Sequence, residues 1–498
     1  MKLFNYRPLM FIALSLISGA VFTYVCFYYS IPALAVFSAV IISFGVYAFI
    51  KDIENKRRNI ICICVCLIFF AFGALSLYSR IQTVNSFNIE SNYYNFSGYV
   101  CSKIEDNGTF LYELEDAELS RDYKIKGVKL SFCDTEELQI GDKVKGYAYV
   151  QFVDIKSNGY INNAPIVDGP TYDLTSVQNI EVVDNEVRPL TYVSLQVLKK
   201  FKKYMQSDAF PIAYALCCGD SSFMPDEVKG VYRFAGIAHI FAVSGLHIGF
   251  LCGMLTLLLR KYKNRYAKTA IISCILIFYA GVCGFRPSSV RAVIMCITAM
   301  LFSTFGGKND FVSSISLSAT VILLLDIGNL FDVGFQLSFV SVVGIAILYP
   351  VLCRVNKLGG KAISSAVNLS LSASLATLPI ALLVFGRVSV VGVVFNLLLV
   401  PVVSIIFYML FAITALSFIF PFLSYCLVIP GFGIKIINYV LNVIDLSVFY
   451  VRIKANLYFA LAYYLSFFTA SDLINLSVKK KCIFGAIFLI SSVMCLVF

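Results

Sequence analysis

Runs of about twenty apolar residues, repeated along most of the chain, constrain this sequence more than any other feature, because each is long enough to cross a bilayer as a helix. "PLMFIALSLISGAVFTYVCFYYS", from Pro8, is one, and "VVFNLLLVPVVSIIFYMLFAITALSFIF", from Val393, is another. Such stretches have no polar face to turn to water. Hydrophobic residues make up 59% of the 498 and charged residues only 14%, whereas soluble domains have about 45–50% and about 25%. A soluble globular protein is therefore excluded, and the chain reads as a polytopic α-helical membrane protein.

One polar window interrupts the pattern. Residues 90–187 hold 8 Lys and Arg against 18 Asp and Glu, while the rest of the chain holds 32 basic and 11 acidic residues. The basic excess lies in short loops: Lys51, Lys56, Arg57 and Arg58; Arg260, Lys261, Lys263, Arg265 and Lys268; Arg354, Lys357 and Lys361; and Lys479, Lys480 and Lys481. That is the positive-inside pattern rather than a nucleic-acid footprint. Placing those loops in the cytoplasm puts the acidic window outside it and predicts about thirteen spans, three before the window and about ten after. The first apolar run is too long for a cleaved signal peptide and is followed at once by further spans. The expected organisation is a three-span leader over 1–80, an extracytoplasmic domain over 81–187, an interfacial helix over 188–210 and a membrane core over 211–498.

Within the window, "NFSGYVCSKI", "GTFLYELEDAEL", "KGVKLSFC" and "GDKVKGYAYVQFV" alternate apolar and polar residues between Asn-Gly, Asp and Gly-Asp turn signals. Four or five strands in about 80 residues suit a small OB-like β-barrel. Its cysteines, Cys101 and Cys133, read either as a disulfide of an oxidising compartment or as two buried thiols. Phe96, Tyr99, Phe110, Tyr112, Phe132, Tyr147, Tyr149 and Phe152 offer rings for stacking. The net charge of −10 repels phosphates, however, so a cap or docking role is favoured over a grip on nucleic acid. After the window, Leu190, Val193, Val197, Leu198 and Phe201 fall at helical spacing among Lys199, Lys200, Lys202 and Lys203, which describes an amphipathic helix lying on a membrane surface.

Ionisable residues inside spans are costly and tend to mark function. Few are present. "ALCCGDSS" supplies Asp220; "YRFAGIAHIFAVSGLHIG" supplies Arg233, His239, Ser244 and His247; and "CGFRPSSVRAVIM" supplies Arg286, Ser288, Ser289 and Arg291. His239 and His247 are the only histidines in the chain. Gly236, Gly245 and Gly249 around them allow a broken helix or a close backbone approach.

Four segments in order carry a resemblance: "GDSSFMPDEVKGVYRFAGIAHIFAVSGLHIGFL", "AGVCGFRPSSVRAVIM", "DVGFQLSFVSVVGIAIL" and "SASLATLPIALLVFGRVSVVGVVFNLLLVPVVS". Together they resemble the ComEC family of bacterial competence proteins, closely over about residues 211–405. The resemblance implies a multi-pass protein of the bacterial cytoplasmic (inner) membrane that passes single-stranded DNA inward during natural transformation. Its implied partners are membrane lipid, a DNA receptor and competence pilus outside, a DNA-translocating ATPase and single-strand-binding proteins inside, and a second copy of the chain in a homodimer. Many members of the family end in a metallo-β-lactamase-like nuclease domain. Two histidines cannot furnish that domain's histidine-rich metal site, so this chain is expected to be the form without it, to be no enzyme, and to need no metal or cofactor.

The candidate residues carry alternatives. Arg286 and Arg291 flank Pro287 and could hold phosphates bidentately, or pair with Asp220 or Asp332. His239 and His247, eight apart, could line a pore if "VSGLH" is unwound, or hydrogen-bond between helices. Gln336 and Ser338 suit helix–helix contacts more than DNA. Asn396 beside Pro401 points to a broken, pore-lining helix. Two other classes of function compete. An intramembrane serine protease built on Ser244 and His247 fails on geometry, since a base at i+3 rarely aligns on the hydroxyl. A secondary transporter of another anionic or lipid-linked solute would use the same arginines, but Asp220 and Asp326 barely supply its ion site, and no P-loop motif occurs.

Overall fold

A computed structural model gives the fold. It describes residues 8–28, 56–86, 91–106, 109–120, 124–134, 138–152, 156–157, 160–161, 166–167, 171–185, 189–241, 243, 245–305, 311–355, 361–389, 391–444, 446–453 and 455–470. The chain divides into two compact units. One comprises Arg7–Arg188 with Ser316–Asp332; the other comprises Met1–Tyr6, Pro189–Ile315 and Val333–Phe498.

The first unit opens with α1 (Pro8–Tyr28) and α2 (Lys56–Ser86). Gly19 of α1 abuts the Phe70 carbonyl and Gly73 of α2 abuts the Leu16 carbonyl, so neither position has room for a Cβ. Glycine at both lets the backbones touch, the device helices use where surrounding lipid supplies no hydrophobic drive. Thr23 Oγ1 donates across the pair to the Ala74 carbonyl at 3.0 Å.

The polar window then folds as a closed five-stranded barrel. Its long strands are β1 (Asn92–Asp106), β2 (Thr109–Ser120), β3 (Lys124–Asp134), β4 (Asp142–Phe152) and, after the two-residue strands β5 (Lys156–Ser157) and β6 (Tyr160–Ile161), β7 (Thr171–Asn185). The order round the barrel is β1-β2-β3-β7-β4. β3 pairs with β7 in parallel and the other pairs are antiparallel. The alternation read from the sequence supplies the core, with Phe96, Val100, Leu114, Leu130, Val144 and Tyr172 all buried. Tyr112 sits fully inside and satisfies its hydroxyl by accepting the Leu138 N–H at 2.9 Å.

Two readings of this domain are corrected. Cys101 and Cys133 are not joined. β2 lies between their strands, with Glu113 opposite Ser102 and Leu111 opposite Cys133. Two strand spacings amount to about 9–10 Å, beyond the ~7 Å that a disulfide spans, and the Cys101 thiol instead donates to the Glu113 carbonyl at 3.2 Å. Nor are the aromatics one stacking surface: Phe96, Tyr112 and Phe132 are core residues at 2% exposure or less. The exposed rings are Tyr93 and Tyr147, stacked on the outer face at 5.3 Å.

The second unit is helical. It contains α3 (Pro189–Tyr204), α4 (Phe210–Cys218), α5 (Asp226–Phe234), α6 (Gly245–Leu258), α7 (Arg265–Val282) and α8 (Pro287–Thr304). After α9 (Phe311–Leu325), which the two units share, come α10 (Val333–Val355), α11 (Lys361–Phe385), α12 (Gly392–Ser417), α13 (Val428–Val443) and α14 (Leu457–Ala470). Short strands β8 (Arg387–Ser389) and β9 (Tyr450–Arg452) pair antiparallel. α3 is amphipathic as read: Val197 and Phe201 are buried, while Lys199, Lys202 and Lys203 are exposed. Lys200 departs from that scheme. Its ammonium donates to Ser417 Oγ at 2.7 Å and lies 4.0 Å over the Phe418 ring.

Among the described residues eight helices are long and apolar enough to cross a membrane. Two precede the barrel and six follow it, at Arg265–Val282, Pro287–Thr304, Val333–Arg354, Ile363–Phe385, Gly392–Ser417 and Pro421–Val443. Residues 29–55 and 471–498, with their apolar runs, lie outside the described residues. One reading in this unit is also corrected. α12 runs unbroken through Pro401, so Asn396 sits on an intact helix, of the kind membrane surroundings tolerate when side chains re-satisfy the backbone.

Candidate functional site

Four stretches far apart in the sequence meet in the helical unit, and glycines and short polar side chains make the meeting. The first begins at α4, whose nine residues are buried on nearly every side. Gly219 ends this helix with φ +73°, a conformation that glycine adopts without strain. Asp220 then accepts the Ser222 N–H at 3.0 Å, closing a turn before Pro225 starts α5.

The chain next makes a short 3₁₀ segment, Ala238–Phe241, and restarts as α6 at Gly245. The break between His239 and His247 is therefore real. His239 belongs to the 3₁₀ turn and is exposed, while His247 lies in the first turn of α6, 3% exposed, with its ring 4.4 Å from that of Phe407. Ser244 lies outside the described residues.

The second stretch docks on the first by side-chain to main-chain bonds. Arg286, the residue before α8, donates from Nη1 to the Gly219 carbonyl. Ser288 donates to the Val243 carbonyl at 3.0 Å, and Ser289, fully buried, turns back to the Arg286 carbonyl at 2.8 Å. Tyr279 adds a bond to the Cys217 carbonyl at 2.8 Å. Each of these carbonyls belongs to a helix end or a break, where backbone acceptors lack an intrahelical partner. Arg286 thus neither pairs with Asp220 nor points freely: one arm of its fork caps α4, and the side chain remains exposed.

The fourth stretch closes over the first. Gly236, at φ +73°, lies so close to Gly392 that a Cβ on it would stand 2.7 Å from the Gly392 Cα. Ser389 donates to the Phe234 carbonyl at 2.7 Å beside that contact. The third stretch meets the second through Arg291, whose guanidinium carbon lies 5.7 Å from the Phe339 ring centre. It meets the fourth where Gly344 abuts Ala376 and Ser372.

Of the residues singled out in the sequence, Asp220, His247, Arg286, Ser288 and Arg291 join this assembly. Arg233 is exposed at the end of α5. Gln336 is half-buried on α10, and Asn396 on α12 leaves its Oδ1 buried without a hydrogen-bond partner. Among the described residues no cluster of three or more His, Cys, Asp or Glu side chains could hold a metal ion. Sequence reasoning missed Ser389, Gly392 and Phe339. The serine and glycine signal themselves only by small size beside a helix start, and the phenylalanine does not differ from its apolar neighbours.

The fold and this assembly define a polytopic helical membrane protein with an inserted β-barrel and a core knitted from four discontinuous segments. The Competence protein family model matches residues 216–475, more than half of the chain, and the chain belongs to that family. ComE operon protein 3 of Bacillus subtilis (strain 168) is 29% identical over 231 residues, 46% of this chain and 29% of that protein. The uncharacterized protein YcaI of Escherichia coli (strain K12) is 25% identical over 214 residues, 39% of this chain and 27% of that protein. The uncharacterized protein MG316 of Mycoplasma genitalium is 31% identical over 169 residues, 33% of this chain and 42% of that protein. The matched segment thus spans less than a third of the first two relatives and under half of the third. No solved structure matches the chain.

Proposed function

We propose that this protein passes one strand of DNA inward across the bacterial cytoplasmic membrane during natural transformation, with its helical unit as the conduit and no bond-making chemistry of its own. The observation that carries the reading is the convergence of the four motifs within the family-matched segment. That convergence gathers Arg286 and Arg291 where a largely apolar core otherwise offers nothing to a polyanion. Arginine forks suit a phosphodiester backbone, which they hold bidentately and without regard to base sequence. Arg233 and His239, both exposed, extend the same cationic character.

The remaining elements take roles consistent with that path. The barrel's strand order, closed through a parallel β3–β7 pair, supports an OB-like fold. Its acidic balance suits a cap or docking site on the outer side better than a grip on the strand. α3 suits the outer leaflet surface, and apolar runs beyond the eight described helices bring the expected number of spans to about thirteen. A DNA receptor and pilus would present the duplex, and an ATPase with single-strand-binding proteins would draw the strand inward. A second copy of the chain would complete a homodimer.

The test is uptake of end-labelled duplex DNA by a deletion strain and its complemented partner, scored as label protected from external nuclease. Loss of protected label in the deletion, with surface binding intact, is expected. Equal uptake in both strains of a transformable host would overturn the proposal and favour transport of another anionic solute.

A further inference from the structure

Arg291 is the one intramembrane cation whose surroundings are incomplete. It sits in the second turn of α8, 5% exposed, and its Nε has no hydrogen-bond partner. Among the described residues no carboxylate lies within ion-pair distance of it. On one side it faces the Phe339 ring. On the other it faces Gly245, the first residue of α6, where a Cβ would stand 3.7 Å from Nη2. α6 is fourteen residues long, so its first turn presents unsatisfied N–H groups and the positive end of a helix dipole. A guanidinium and a helix N-terminus therefore converge in a desolvated place with no negative group between them. Charges in such a position are stable only when paired and hydrogen-bonded.

We infer that the space between Arg291 and the N-terminus of α6 is a binding site for an oxyanion of the phosphate class. The chemistry matches on both sides. A helix N-terminus offers backbone N–H groups to anions, and a planar fork offers two parallel donors to tetrahedral oxygens. Gly245 matters because a side chain there would occupy the approach to Nη2, whereas glycine leaves it to the ligand. The inference rests on the strand-conduit reading only for the natural source of the phosphate. A phosphodiester of DNA, a lipid headgroup and free phosphate all present the same oxygens.

The test uses the full chain purified in phospholipid-free detergent. Unfolding is followed by a thiol-reactive dye, which the buried Cys217, Cys218 and Cys283 report as they become exposed. Midpoints are measured against sodium phosphate, a twelve-residue oligothymidylate and short-chain phosphatidylglycerol, each with chloride at matched ionic strength as reference. Wild type is expected to gain about 2–5 °C at saturating phosphate, and R291M to gain none. Without phosphate, R291M is expected to melt no lower than wild type, because it removes a buried unpaired charge. R291K, which keeps the charge and loses the fork, is expected to need at least threefold more phosphate for half its effect, and decides the matter should R291M not fold.

Equal protection of wild type and R291M, an unchanged phosphate requirement in R291K, or no protection of wild type by any of the three probes overturns the site. Whichever of the oligonucleotide and the lipid protects at the lower concentration identifies the source. This readout is independent of uptake. A deletion strain that takes up DNA normally would remove the conduit reading and leave an R291M-sensitive phosphate effect standing.

Discussion

Gly236 and Gly392 make one contact, yet the structure assigns them unequal costs of substitution. Gly236 has φ +73°, where an L-residue loses roughly 1–2 kcal/mol. Its Cβ would also stand 2.7 Å from the Gly392 Cα, a distance that forces two backbones apart. Overpacking of that kind costs roughly 1–3 kcal/mol, so Gly236→Ala is expected to destabilise by about 2–5 kcal/mol. Gly392 has an ordinary backbone conformation, and its Cβ would meet the Gly236 Cα at 3.5 Å, normal van der Waals contact. Alanine there also improves helix propensity by up to about 1 kcal/mol, so Gly392→Ala is expected to stay within about 1 kcal/mol of wild type. Gly236→Asn separates the two causes, since asparagine tolerates the left-handed region but keeps the clash. The assay is thermal unfolding of the purified proteins, read as midpoint. Equal midpoints for Gly236→Ala and Gly392→Ala would refute the reasoning, because the asymmetry follows from backbone conformation and distance alone.

Further outcomes follow from single bonds. Ser389→Ala removes the bond to the Phe234 carbonyl and is expected to cost about 0.5–1.5 kcal/mol by the same unfolding measurement. Arg286→Lys keeps a donor near the Gly219 carbonyl and is expected to retain more stability than Arg286→Ala, with midpoints in that order. Asp220→Asn keeps an acceptor for the Ser222 N–H and should melt close to wild type, whereas Asp220→Ala should lose about 1 kcal/mol. Cys101 and Cys133 are expected to show no intramolecular link: on non-reducing gels of a variant bearing only those two cysteines, mobility should match the reduced sample.

The sequence announced what depends on local patterning. Apolar runs longer than a bilayer became α1, α2, α7, α8 and α10 to α12, and alternation at period two became β1 to β4. What it did not announce depends on pairing between distant residues. β7 is the strand that closes the barrel, but "TYDLTSVQNIEVVDN" has weak alternation, and its parallel partner β3 lies some forty residues earlier. Arg286 had two legible partners, Asp220 and Asp332, yet it donates to a main-chain carbonyl, which no residue type reveals. Pro401 illustrates the opposite error: a local rule for soluble helices suggested a break where α12 continues. The glycines of "RFAGIAHIFAVSGLHIG" were better guides, since Gly236 does mark a close approach and Gly245 does mark the restart of a helix.

The central claim is that the helical unit conducts a single strand, and the state of the DNA as it arrives tests this most directly. Duplex DNA labelled differently on its two strands is supplied to the complemented deletion strain, and nuclease-protected label is extracted at once and separated on native gels. The account gives one label protected, recovered as single strands, and both labels lost from the protected fraction in the deletion strain. Recovery of both labels together as protected duplex would contradict it.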